Sequence, residues 1–216
     1  GEQLMWRRFS GIYIQASDGS GVPERLADVG AENPAISPDG RYLFYHKRKD
    51  SNDRDIWMMN LEDGKALPFL QTEFHEGIPV PSPDGRHLAY TSDESGQFEV
   101  YVRTFPDGKN RIRVSKNGGA YARWNGTGSE LFYLAGDRLM SVSIATGTSL
   151  KVGKPERLFS EEEANVRLAQ LTGLLIPTYD ASADGQWFIA VRALESSASP
   201  TITVVQNWFT EFEGIE

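Results

Sequence analysis

Cysteine is absent from the 216 residues. Its absence excludes disulfides, thiolate metal sites and a cysteine nucleophile, and is compatible with any compartment. No apolar run reaches the length of a membrane-spanning helix, so membrane insertion of this segment is not expected. The N-terminal stretch has no signal-peptide pattern. Histidine is scarce: His46, His75 and His87 are the full set. No two of them have the close spacing of metal ligands, so neither a metal nor another cofactor is expected. Positive charge does not predominate, because 22 Lys and Arg face 30 Asp and Glu, a formal net charge of −8. Nucleic acid and anionic membranes would meet net repulsion. The densest basic run, Lys47-Arg48-Lys49, is followed at once by Asp50 and reads as a solvated loop. No Gly-x-Ser-x-Gly elbow and no kinase signature is present.

What the chain does have is a repeat. Ser37-Pro38-Asp39-Gly40 recurs as Ser82-Pro83-Asp84-Gly85 and again as Ser182-Ala183-Asp184-Gly185, with Trp124-Asn125-Gly126-Thr127-Gly128 in the third slot. An apolar-aromatic run follows each copy: residues 41–45 (RYLFY), 86–90 (RHLAY), 130–133 (ELFY) and 186–190 (QWFIA). Each reads as a strand. Further strands are expected at 56–59, 100–102, 139–142 and 202–205, then at 66–70, 111–115 and 156–159. Short first strands, such as Pro34-Ala35-Ile36 and Ile78-Pro79-Val80, precede the tetrapeptides. Four short antiparallel strands in about 40–45 residues is the period of a β-propeller blade. The Asp-Gly pair has a local cause. A tight hairpin needs positive φ, which Gly supplies and Asp or Asn tolerates. Proline in the first strands suits an innermost strand, whose open side faces a channel.

The expected fold is therefore an all-β propeller of four-stranded antiparallel blades, a single domain over 1–216, with the alternative that it is a fragment of a larger propeller. It comprises a partial blade at 2–29, full blades at 33–71, 77–116 and 120–159, an insertion at 160–176 and a partial blade at 177–212. In the insertion, Ser160 and Glu163 have capping-box spacing, which predicts a short helix or ordered loop. Two closures stay open. The terminal partial blades share strands within one chain, or open edges pair between two chains.

The SPDG cores, the aromatic second strands and the third strands built like Val100-Tyr101-Val102 resemble the TolB-like, or PD40, WD40-like repeat family. A narrower likeness, carried by residues 93–106, 118–124, 130–133 and 202–209, is to C-terminal propellers of bacterial kinase-linked or membrane-linked proteins. The resemblance implies an extracytoplasmic (periplasmic or cell-surface) sensing or protein-binding module.

The repeated Asp reads as a turn residue rather than a catalytic or calcium-binding carboxylate, because a repeated position serves the repeated fold. His87 is expected half-buried and His46 exposed. Channel-mouth loops supply the binding candidates Glu32, Asn33, His75, Glu76, Tyr121, Arg123, Tyr179 and Asp180, since loops on rigid scaffolds carry function. Arg123 and Asp180 could form a polar ring with Glu76 and hold a peptide or its terminus; the plainer reading is polar groups satisfied by one another and by water. Trp57, Trp124, Trp187 and Trp208 are expected to pack between blades. The stretch 182–187 resembles a sialidase Asp-box with the wrong spacing, and Asn125-Gly126-Thr127, formally a glycosylation sequon, reads as a turn. Two functions remain. One is a non-catalytic binding or scaffold propeller with a protein or peptide partner. The other is a glycan or ester hydrolase using mouth carboxylates, which requires a closely placed pair with shifted pKa values.

Overall fold

The computed structural model describes residues 3–8, 11–28, 30–48, 54–146, 150–168, 179–192 and 201–206. They form a succession of antiparallel meanders. Blade 1 has three strands, β1 (Gln3–Arg8), β2 (Gly11–Ala16) and β3 (Glu24–Ala27). Blade 2 has four: β4 (Ala31–Ile36), β5 (Tyr42–Arg48), β6 (Arg54–Asn60) and β7 (Ala66–Leu70). Blade 3 repeats this with β8 (Glu76–Pro81), β9 (His87–Ser92), β10 (Glu99–Thr104) and β11 (Arg111–Arg113). Blade 4 has β12 (Ala120–Trp124), β13 (Glu130–Ala135) and β14 (Arg138–Thr146), whose extended end pairs with β15 (Leu150–Val152) and whose body pairs with β16 (Glu156–Ser160). Blade 5 has β17 (Tyr179–Ala181), β18 (Trp187–Arg192) and β19 (Thr201–Gln206). The three full and two partial blades read from the repeat are present. Among the described residues, the partial blades lack opposite strands: blade 1 shows no innermost strand and blade 5 no outermost one.

The repeated tetrapeptide builds the same turn each time. The Ser37 hydroxyl donates to Asp39 Oδ1 at 2.5 Å, and that oxygen also accepts the Arg41 N–H at 3.1 Å. The Tyr42 N–H donates to Ser37 Oγ at 2.9 Å, and Gly40 has a φ of 72°. Ser82 with Asp84, and Ser182 with Asp184, reproduce every bond. In the third copy Asn125 replaces the serine, and its side-chain oxygen accepts from the Thr127 hydroxyl and the Glu130 N–H, each at 3.2 Å. The Ser37 bond holds the Asp39 carboxyl below its ordinary range, and the Ser182 bond does the same for Asp184. These aspartates are committed to the turns.

Among the described residues the core is divided into four slabs, each lying between neighbouring blades. Strand alternation explains the division, because successive side chains leave opposite faces of a sheet. In β5, Leu43 and Tyr45 join Ile12 and Ala27 of blade 1, whereas Phe44 joins Leu88 and Tyr90 of blade 3. In β9, Ala89 faces the other way, toward Ala122, Leu131 and Tyr133 of blade 4. In β13, Phe132 and Leu134 meet Tyr179 and Phe188 of blade 5. Phe132 and Phe188 cross edge-to-face, with ring centroids 5.0 Å apart. This is radial, face-upon-face packing. The innermost strands line up side by side, β4 against β8, β8 against β12 and β12 against β17.

The insertion begins with a helix, α1 (Glu161–Ala164), closed by the expected capping box of Ser160 and Glu163. Val166 and Leu168 then fill the slab between blades 4 and 5. The remainder of the insertion, and Trp208, lie outside the described residues. Trp124 is buried, with its indole N–H donating to the Val80 carbonyl at 3.1 Å. Trp57 packs against the slab between blades 1 and 2, and Trp187 is half-buried. No helix among the described residues is long and apolar enough to cross a membrane.

Candidate functional site at the channel mouth

The innermost strands begin earlier than expected. Residues 31–33 and 76–77, read from sequence as loop, are strand. Of the eight candidates, His75 alone lies in a loop; Glu32, Asn33, Glu76, Tyr121, Arg123, Tyr179 and Asp180 belong to β4, β8, β12 and β17. The cause is a bulge shared by three innermost strands, where the register slips between Glu32 and Ala35, Gly77 and Val80, and Ala120 and Arg123. Each bulge contains a residue in the left-handed region: Asn33 (φ 48°), Ile78 (φ 54°) and Tyr121 (φ 59°). All three stand four positions before the residue that opens the turn. Asparagine tolerates this conformation; isoleucine and tyrosine are strained in it.

Glu32 is the hub of one cluster. Its carboxylate lies 2.8 Å from Arg7, 3.3 Å from His46 Nε2 and 3.9 Å from Arg48. His46, expected exposed, is fully buried, because the end of β5 is covered by β8. Its Nδ1 accepts the Ile78 N–H at 3.3 Å, so the proton sits on Nε2 and is donated to Glu32. Burial pushes the His46 pKa down, against the opposing pull of Glu32, and the ring is neutral. The His46 hydrogen bond, with Arg7 and Arg48 behind it, holds the Glu32 carboxyl at about 2 against an ordinary 4.5, although partial burial opposes the drop. A neutral histidine thus ties the innermost strands of blades 2 and 3 together.

Of the ring expected from Arg123, Asp180 and Glu76, Arg123 and Asp180 pair at 3.2 Å across blades 4 and 5. Glu76 is buried and accepts the hydroxyl of Thr72, in the connection between blades 2 and 3. Tyr179, also buried, donates its hydroxyl to the Tyr121 carbonyl at 2.6 Å, and burial raises its pKa. The Tyr121 hydroxyl is buried and has no hydrogen-bond partner among the described residues. His75 donates its backbone N–H to Asp93 at 2.9 Å, lies tilted beside Phe98 with ring centroids 6.2 Å apart, and has a buried Nδ1 with no hydrogen-bond partner among the described residues. Beside them a mostly apolar cavity of about 190 Å³ is lined by Phe98, Gly119, Tyr121 and Leu134. A larger cavity of about 360 Å³ opens between blades 1 and 2, beside Leu26, Tyr45 and Trp57. His87 is nearly fully buried, not half-buried, with Nδ1 3.8 Å from Asp84.

Sequence reasoning missed Arg7, His46, Arg48 and Arg54. Arg48 belongs to β5 and reaches Glu32, whereas Lys47 on the other face lies over the Trp57 ring at 5.5 Å. Lys47 and Arg48 are exposed as expected, but they lie on a strand whose alternation sends them to opposite faces rather than in a loop. Among the described residues, no group of three His, Asp or Glu is placed to hold a metal ion.

No protein-family model matches this chain, and no curated protein does. Solved structures do match. TolB from Acinetobacter baumannii superposes with a TM-score of 0.64 at 18% identity, over 91% of this chain and 46% of that one. A chain assigned as TolB from Agrobacterium tumefaciens gives 0.56 at 22% identity, over 69% and 56%. Oligogalacturonate lyase from Vibrio parahaemolyticus gives 0.59 at 14% identity, over 91% and 54%. This chain spans about half the length of each of these proteins. Proteins named TolB and a lyase share the architecture, and the likeness extends to the fold: an all-β, TolB-like propeller.

Proposed function

We propose that this chain is a non-catalytic binding propeller of an extracytoplasmic bacterial protein, and that its channel mouth receives a protein or peptide. The observation that carries the reading is a set of buried groups there with no hydrogen-bond partner among the described residues: Tyr121 Oη, Arg54 Nε and His75 Nδ1. Buried polar groups in folded proteins are nearly always paired, and unpaired ones at an open end await a partner. The rim joins them to apolar surface at Phe98 and Leu134, the mixture found at recognition faces. A hydrolase would need a carboxyl kept protonated near neutral pH. Glu32 is shifted the opposite way. The neighbours named TolB favour a periplasmic setting, and the unlike edges of blades 1 and 5 favour self-association.

The test is selection of a displayed random-peptide library on the immobilised chain. Peptides whose binding falls about tenfold or more in Arg123→Ala and Tyr121→Phe, and is unchanged in Arg113→Ala on the outer strand β11, support the reading. Failure to enrich any peptide counts against it. So does glycosidase or esterase activity abolished by Glu76→Gln or Asp180→Asn.

A further inference from the structure

Among the described residues, the mouth of blade 2 holds more positive charge than its carboxylate neutralises. Arg48 and Arg54 stand directly opposite each other across the β5–β6 pair. Like charges so placed repel and destabilise the pairing. Glu32 lies 3.9 Å from Arg48, but its shorter contact, 2.8 Å, is with Arg7. His46 contributes no charge, since its Nδ1 is occupied as an acceptor. Among the described residues, three guanidiniums therefore share one carboxylate, in a chain whose formal net charge is −8.

Two donors in this neighbourhood are unused. Arg54 Nε is buried without a hydrogen-bond partner among the described residues, and the same holds for the hydroxyl of Tyr121, a side chain with no exposed surface. The two groups are within electrostatic reach of each other. Burial and then the Arg48 charge depress the Arg54 pKa, while Glu32 and Tyr121 oppose the depression. An anion between Arg48, Arg54 and Tyr121 would relieve the repulsion and satisfy both donors. The planar guanidinium fork matches the two oxygens of a carboxylate, and a phenol adds a third bond.

We propose that Arg48, Arg54 and the Tyr121 hydroxyl form a carboxylate-binding site at the channel mouth. The proposal rests on the peptide-binding reading of that face and supplies its chemistry: the peptide is held by a carboxylate, at its C-terminus or on an Asp or Glu side chain.

The experiment follows the Arg54 Nε–H signal of the ¹⁵N-labelled chain by NMR, assigned through its disappearance in Arg54→Lys. Three probes are titrated: acetyl-Gly-Gly-Leu with a free carboxylate, the same peptide as its C-terminal amide, and acetyl-Gly-Asp-Gly amide. A saturable shift with the free acid but not with its amide establishes a terminal-carboxylate site. The same response to the aspartyl peptide alone establishes a side-chain site. In either case Tyr121→Phe, which keeps the ring, weakens binding about tenfold, and added salt weakens it further. An amide equal to the free acid, or no shift with any probe, overturns the proposal. A library-selected peptide that binds wild type and Arg54→Gln equally overturns the carboxylate site and leaves the binding face standing. A selection that yields no peptide removes the binding face itself.

Discussion

Replacing Glu32 with glutamine isolates the electrostatics of the mouth. The substitution keeps the shape and one acceptor for the His46 Nε2–H, but removes the charge facing Arg7 and Arg48. The fall of the carboxyl from 4.5 to about 2 sets a ceiling. In linkage terms that ceiling is about 3 kcal/mol. The side chain is 15% exposed, so water and salt screen part of the interaction, and the retained hydrogen bond saves more. A loss of about 1–2 kcal/mol at about pH 7 is expected. The sign of the pH dependence is fixed. The folded carboxyl ionises below the unfolded one, so its stabilisation is complete above pH 4.5 and drains away as the pH falls through about 2. Urea unfolding of both proteins, followed by tryptophan fluorescence, should show the gap at about pH 7 and its near closure at about pH 2. An equal gap at both pH values, or none at about pH 7, would refute the reasoning.

Other substitutions probe other parts of the account. His46→Leu leaves the Ile78 N–H buried without an acceptor and should cost about 1–3 kcal/mol by urea unfolding. Phe188→Ala empties the slab between blades 4 and 5, where Phe188 meets Phe132 and Phe159, and should cost about 3–5 kcal/mol on the same measure. Gly126 donates its N–H to the Ala183 carbonyl of the neighbouring turn at 2.5 Å, and a Cβ there would lie 2.8 Å from Ala183. Gly126→Ala should therefore lower the thermal midpoint through overpacking of about 1–3 kcal/mol, whereas Gly136→Ala meets no atom within 4 Å and tests the φ of 63° alone. Glu32→Gln should also tighten carboxylate binding in the NMR titration, since it removes the competing anion.

What could be read from the chain was local. The SPDG turns follow from side chains that bond to backbone within five residues, as Ser37 does with Tyr42. The division of the core follows from alternation, visible in Leu43, Phe44 and Tyr45 before any sheet is drawn. Arg123 and Asp180 stand two positions before the residue that opens the turn in successive blades, which sets them side by side; Glu76, the third member of the expected ring, accepts from Thr72. The bulges were not legible. Nothing about isoleucine announces a φ of 54° at position 78, since residue type disfavours it and neighbouring blades impose it. The burial of His46 and the convergence of Arg48 and Arg54 were equally hidden. They depend on hairpin register and on which blade covers the end of β5, both long-range properties.

The central claim is that the mouth formed by the innermost strands is the binding face. Hydrogen–deuterium exchange with and without a library-selected peptide tests it most directly. The account predicts slowed exchange in β4, β8 and β12 around residues 32–33, 76–78 and 120–123, and unchanged exchange in the outer strands β7, β11 and β16. Protection confined to those outer strands, with the inner ones unaffected, would contradict it.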